Sequence, residues 1–244
     1  MSPQHAPPAR TTGALGYTTR NFLIVAVLAL VGALAAGLIG PNPRLGPAAA
    51  GDEALVAEVA AIVGEGRGLT QLAVARLDGD RTDFAGFGDP LPSPDTPFEL
   101  GSITKVFVGH VLADAVARGD VALDDPLETY LPELAGTPAG GVTLVSLATH
   151  TSGLPRLPEG VGGLRSALSP SDPYPAWGVG QLTDAARAAA LERPGTEAYS
   201  NLGMALLGHA LARAAEAPTW AALAEERLFA PLGMTATVTV ARPA

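Results

Sequence analysis

Nineteen consecutive residues near the start of the chain, Phe22 to Gly40, carry no charged or polar side chain. A helix that is apolar on every side has no face to show water, so it belongs in lipid or deep in a core. At about 1.5 Å per residue the run would span about 28 Å, close to the roughly 30 Å of a bilayer's hydrocarbon layer. Arg10 and Arg20 precede it, and no acidic residue occurs before Asp52. The positive-inside rule then makes residues 1–21 a cytoplasmic tail, 22–40 a transmembrane helix or signal anchor, and the remainder extracytoplasmic. The rival is a cleaved signal peptide, whose apolar stretch is usually shorter, about 7–15 residues. The expected localisation is therefore the cell membrane, with a single pass.

Residues 41–51, "PNPRLGPAAAG", read as a linker, and 52–244 as one domain. With 48% hydrophobic and 16% charged residues, the chain can bury a core. It has no cysteine, which excludes disulfides, thiolate metal sites and a cysteine nucleophile. His5, His110, His150 and His209 are scattered without ligand-like pairing, so no metal and no cofactor are expected. From Asp52 onward, setting aside Arg10, Arg20 and Arg44 leaves twelve cations against 24 acids, a formal charge of −12. Such a domain should not bind nucleic acid.

The order of local patterns gives a fold class. Asp52 to Val63 has helical spacing behind a capping aspartate. Residues 70–88 read as a hairpin, with alternating Leu72, Val74 and Leu77, a turn at Asp78-Gly79-Asp80, and a second strand through Phe84 and Phe87. A helix from Ile103 to Arg118 follows, its apolar face drawn from Ile103, Val106, Phe107, Val111, Leu112, Ala115 and Val116, with Gly119 as its stop. Residues 121–134 form a loop with a short apolar piece, and Thr143 caps a helix through Ala148. Residues 155–180 are a Pro-, Gly- and Ser-rich surface loop. Helices are then expected over 181–194, 202–216 and 219–229, and a last strand in "ATVTVA". A strand pair followed by a run of helices is an α+β arrangement.

Within the helix at 103–118 stands the chain's single lysine, Lys105, among fourteen arginines. A guanidinium cannot be deprotonated in a protein, whereas an ammonium can lose its proton when burial or a nearby positive field disfavours the charge. Ser102 lies three residues earlier, so the two side chains are neighbours on one face, roughly 5–6 Å apart at Cβ. The partial positive charge of the helix start favours an alkoxide on Ser102 and a neutral amine on Lys105. Ser102 is either a nucleophile beside its base or an N-cap; Lys105 is either that base or a solvated helix residue. The second candidate is "EAYSNLG", residues 197–203. Tyr199 offers a phenol that a neighbouring cation can convert to a proton shuttle, or packs as a half-buried ring. Asn201 offers an amide that both donates and accepts, or caps the next helix.

Ser-x-x-Lys opening a helix, with Tyr-Ser-Asn in a later loop, resembles the penicillin-recognising serine hydrolases. The tyrosine resembles the class C β-lactamase and D-alanyl-D-alanine peptidase branch, which also includes esterases. "FELGSITKVF" at 98–107, "LATHTSGLP" at 147–155 and "LFAPLGM" at 228–234 extend the likeness over residues 52–240. The resemblance implies a β-lactamase/transpeptidase-like fold, a helical region packed on an antiparallel sheet. It implies that Ser102 is the acylated nucleophile, Lys105 its partner in proton transfer and Tyr199 the base. Asn201 would hold the substrate's amide, and His150 would order the "HTSG" loop.

The implied reaction is acyl transfer from a β-lactam, a D-Ala-D-Ala peptide of peptidoglycan or an ester to Ser102 and then to water. The Ser102 backbone N–H is one oxyanion donor; the family's second donor follows a Lys- or His-Thr/Ser-Gly triplet, and none occurs after Asn201. The chain is thus expected to lack the C-terminal strands, as a fragment, a degenerate relative or one part of a two-chain protein. An unpaired sheet edge would then be an association surface. The alternative to an enzyme is a non-catalytic module that binds peptidoglycan or β-lactam in the same cleft. Tyr174 and Trp177 are candidate wall residues of that cleft.

Overall fold

The computed structural model describes residues 22, 24–32, 43–159 and 178–239. The described part of the uncharged run is helical, with its side chains exposed from Ile24 to Val31. The remainder of 22–40 lies outside the described residues. Among those described, no helix is long and apolar enough to cross a membrane. The chain divides into two compact units, residues 1–96 and 97–244.

The first unit is built around an antiparallel sheet. Strand β1 (Ala49–Gly51) leads to helix α1 (Glu53–Val63), then to the hairpin β2 (Gln71–Asp78) and β3 (Arg81–Gly88), in the order β1-β3-β2. The register pairs Leu72 with Phe87 and Val74 with Ala85. Asp52 caps α1 by accepting from the Leu55 N–H at 2.9 Å. The buried stripe of α1, Leu55 and Val59, closes over Ala85 and Phe87 to make this unit's core. The linker expected at 41–51 needs correcting at its end, because Ala49–Gly51 is strand, paired from Ala49↔Phe87 to Gly51↔Ala85. The physical reason is the free edge of β3, whose backbone groups need partners that these residues supply. Upstream, Leu45 also joins the core, and its N–H donates to Gly66 at 3.2 Å.

The second unit is helical. A 3₁₀ turn (Gly101–Ile103) runs straight into α2 (Thr104–Arg118), which ends on Gly119 in the left-handed conformation. Two further 3₁₀ turns, Leu127–Thr129 and Pro132–Leu134, bury Leu127, Leu131 and Leu134 completely. Then come α3 (Leu144–Ala148), α4 (Val179–Ala188), α5 (Asn201–Ala214) and α6 (Trp220–Ala224), the last continuing as a π-helical turn, Glu225–Phe229. Thr143, Ser200 and Thr219 cap α3, α5 and α6. Nine of the fourteen residues of α5 are buried, so it is the hub against which α2, α3, α4 and α6 pack. Leu206, Leu207 and Leu211 on it are essentially fully buried, each contributing about 1.5–3 kcal/mol of apolar burial.

Three further expectations change. The buried face of α2 is Val108, Val111, Leu112 and Ala115, while Ile103 and Val106 are more than half exposed. The 3₁₀ turn shifts the angular phase of Ile103 relative to the α-helix that follows, and Val106, two residues before Val108 within that helix, falls on the side opposite the buried stripe. The strand expected in "ATVTVA" is not formed at 236–239, where no strand among the described residues offers a ladder; residues 240–244 lie outside the described part. Of the loop expected at 155–180, residues 160–177, with Tyr174 and Trp177, lie outside it too.

Candidate active site

Gly101 holds φ +53 with open space around it, so conformational freedom is what the position requires. The chain turns there and presents Ser102 outward on the 3₁₀ turn. Neither Leu100 nor Ile103 makes a side-chain cap, and Ser102 does not cap either; its hydroxyl is engaged elsewhere. Ser102 Oγ lies 2.6 Å from Tyr199 Oη, and Lys105 Nζ donates to Ser102 Oγ at 3.4 Å. Lys105 Nζ also stands 4.7 Å from the centre of the Tyr199 ring. Ser102, Lys105 and Tyr199 thus meet, although 97 positions separate the serine from the tyrosine.

Two loops, 150–156 and 192–201, set the position of Tyr199. Glu192 N–H donates to Gly153 O at 2.8 Å and Gly195 N–H to Thr151 O at 2.8 Å. Ala198 N–H donates to His150 O at 2.8 Å, and Asn201 N–H to Arg156 O at 2.9 Å. The close approach depends on Gly153, at φ +81, where a Cβ would meet Glu192 O at 2.9 Å. Ser200, 1% exposed, joins three parts. Its Oγ accepts from Gly203 N–H at 2.9 Å and donates to Pro155 O at 2.7 Å, and its N–H donates to His150 Nδ1 at 3.2 Å. Ser200, rather than Asn201, is therefore the N-cap of α5; Asn201 is the helix's first residue. The capping signal, a serine before an apolar run, was present at Ser200.

Charges around the ring perturb it. The hydrogen bond from Lys105 comes first, then that from Ser102; with the charges of Lys105 and Arg156, they hold the Tyr199 phenol below its ordinary value. Arg156, unremarked in the sequence, places its guanidinium carbon 5.0 Å from the ring centre. The His150 ring lies 4.7 Å from that of Tyr199, tilted by 40°. Burial, followed by the charge of Lys105, pushes the His150 imidazole down against the opposing pull of Glu197. A neutral ring suits its role, since Nδ1 accepts a hydrogen bond. Among the described residues no group of three or more His, Asp or Glu side chains could hold a metal ion.

A serine hydroxyl in contact with a phenol and an amine, at the start of a helix, is equipped for proton removal and nucleophilic attack. A family model described as Beta-lactamase matches residues 54–244. The chain belongs to the beta-lactamase family. Among curated relatives of this beta-lactamase family chain is the D-alanyl-D-alanine-carboxypeptidase/endopeptidase AmpH of Escherichia coli K12, 35% identical over 188 residues. That match takes in 73% of the chain and 47% of AmpH. A class C beta lactamase from Rhodobacter sphaeroides is similar in structure at a TM-score of 0.59 and 35% identity, over 75% of the chain and 49% of its own. A beta-lactamase/D-alanine carboxypeptidase from Pseudomonas syringae gives 0.61 at 30% identity, over 74% and 49%. The chain spans about half the length of the relatives it matches. Its antiparallel sheet and helices have the beta-lactamase/transpeptidase-like fold of this family.

Proposed function

We propose that the protein is a membrane-anchored serine hydrolase that forms an acyl-enzyme on Ser102. The observation that carries this reading is the 2.6 Å contact between Ser102 Oγ and Tyr199 Oη with Lys105 Nζ in reach of the same oxygen. Ser102 Oγ attacks the carbonyl carbon of a β-lactam, a D-Ala-D-Ala peptide or an ester, and Tyr199, as phenolate, takes its proton. The C–N or C–O bond then breaks, and the proton passes from Tyr199 to the leaving nitrogen or oxygen. Water attacks the acyl-enzyme with Tyr199 again accepting a proton, and Ser102 is restored. Lys105 keeps the phenolate populated and is its partner in proton transfer. The Ser102 backbone N–H at the helix start stabilises the oxyanion, and Asn201 holds the substrate's amide. Residues 22–40 supply the anchor, with the catalytic part outside the membrane. The outer strand β2, bonded on one side among the described residues, is a surface for association.

A fluorescent penicillin tests the chemistry. Covalent label on the wild type that vanishes in Ser102→Ala is the expected result. Reversible binding without label, unchanged in Ser102→Ala, would replace the enzyme by a non-catalytic module for peptidoglycan or β-lactam. Nitrocefin turnover, D-alanine release and p-nitrophenyl ester cleavage then divide the substrate classes.

A further inference from the structure

The chain is acidic, with 24 Asp and Glu against 15 Lys and Arg, so a cation on its surface finds a carboxylate easily. Eight of the ten described arginines do, within 4.0 Å. Arg156, Arg193 and Lys105 form no such pair among the described residues, and all three gather at Tyr199. Lys105 and Arg156 stand 4.7 and 5.0 Å from its ring centre. Arg193 and Arg156 line, together with Tyr199 and Glu192, one cavity of about 130 Å³. Arg193 is also held at φ +45, a backbone conformation that non-glycine residues rarely adopt and that concentrates at functional sites.

We propose that this cavity is an anion subsite, in which Arg156 and Arg193 receive a carboxylate carried by the substrate on the acyl side of the bond that breaks. The proposal rests on the reading of Ser102 and Asn201 given above, for the Arg156 carbonyl accepts the Asn201 N–H and so ties the guanidinium's residue to the amide-binding one. A guanidinium presents a planar fork of donors that matches a carboxylate. The wall carries two positive charges and the negative charge of Glu192, which suits a single carboxylate better than a phosphate dianion. The volume far exceeds the roughly 10–15 Å³ that holds one water, so a carboxylate and the carbon bearing it fit. The substrate class this favours is acyl compounds with a free carboxylate near the scissile carbonyl.

Succinamate and succinamide, which differ in a carboxylate against a neutral amide on the acyl side of the remaining amide bond, test the subsite by titration calorimetry on the full chain. The wild type should bind the acid about tenfold more tightly. Arg193→Gln and Arg156→Gln should each erase most of that preference, Arg193→Lys should keep the larger part, and 0.5 M NaCl should weaken the acid alone. Equal affinity for the two ligands, or a preference that survives both glutamine variants, overturns the proposal. Should a glutamine variant not fold, by circular dichroism, the salt series and Arg193→Lys still decide. Ser102→Ala should keep the acid preference. That preference in a protein that penicillin does not label supports the subsite and removes the enzyme; label without preference removes the subsite alone.

Discussion

A lysine where fourteen other cationic positions are arginine is informative only if the charge has to be given up or shared. Lys105 places its nitrogen 3.4 Å from Ser102 Oγ, within reach of the nucleophile. Lys105→Arg keeps the charge but removes a group able to lose its proton, and should slow acylation by about 10²–10⁴-fold in stopped-flow labelling. Tyr199→Phe should fall by a similar factor. The pH dependence follows from the phenol. Because Lys105 and Ser102 hold it below its ordinary value, acylation should rise with pH through a midpoint below about 10, as the phenolate forms. Lys105→Met removes the first of those causes and should move the midpoint upward. An unmoved midpoint in pH–rate profiles would take Tyr199 out of the base role. Of these residues, Ser102, Lys105 and Tyr199, the three side chains that meet, were legible from motif spacing. Arg156 was not, and neither were the bonds of Ser200 beyond its own helix, since their partners, the Tyr199 ring, Pro155 O and His150 Nδ1, are remote in sequence.

At the scale of elements, α5 carries the site at its N-terminus and the core along its length. Leu207→Ala empties a fully buried position and should cost about 2–5 kcal/mol in denaturant unfolding. Ser200→Ala removes the cap and leaves Pro155 O without its donor, together about 2–3 kcal/mol. It should also slow acylation, because the same serine fixes the residue beside Tyr199; stability lost with acylation intact would confine Ser200 to a structural role. Most helices were legible because a 3.6-residue period and a capping oxygen are local properties, as at Asp52, Thr143 and Thr219. β1 was not, because "AAG" has no pattern of its own and becomes strand only where β3 offers an edge.

Over the whole molecule, two of the described histidines couple stability to pH. Burial, first among the causes, pushes both His150 and His209 below their ordinary value, so folding favours the neutral rings. Their contribution is fully present above the unfolded value of about 6.5 and is lost as pH falls through the lower folded values. Thermal melts should show the midpoint dropping as pH is lowered below about 6.5. His150→Asn should shrink the drop, leaving the share of His209; an unchanged drop would assign the whole effect elsewhere. The anchor is tested by fractionation: the full chain should stay with membranes through carbonate washing, and deletion of 22–40 should release it. Recovery of the full chain in the soluble fraction would remove the anchor.

Taken alone, the sequence determined the helices and hairpin, the serine–lysine pair, the tyrosine motif and the uncharged run, because each is written in spacing and side-chain chemistry within a few turns of chain. Tertiary structure alone decided that Tyr199 meets Ser102 across 97 positions, that Ser200 bonds to Pro155 and His150, and that Arg156 and Arg193 share a cavity. Those contacts form when two loops close on each other through Gly153, and the geometry of that closure is set by packing and hydrogen bonds between distant segments, on which local pattern has no hold.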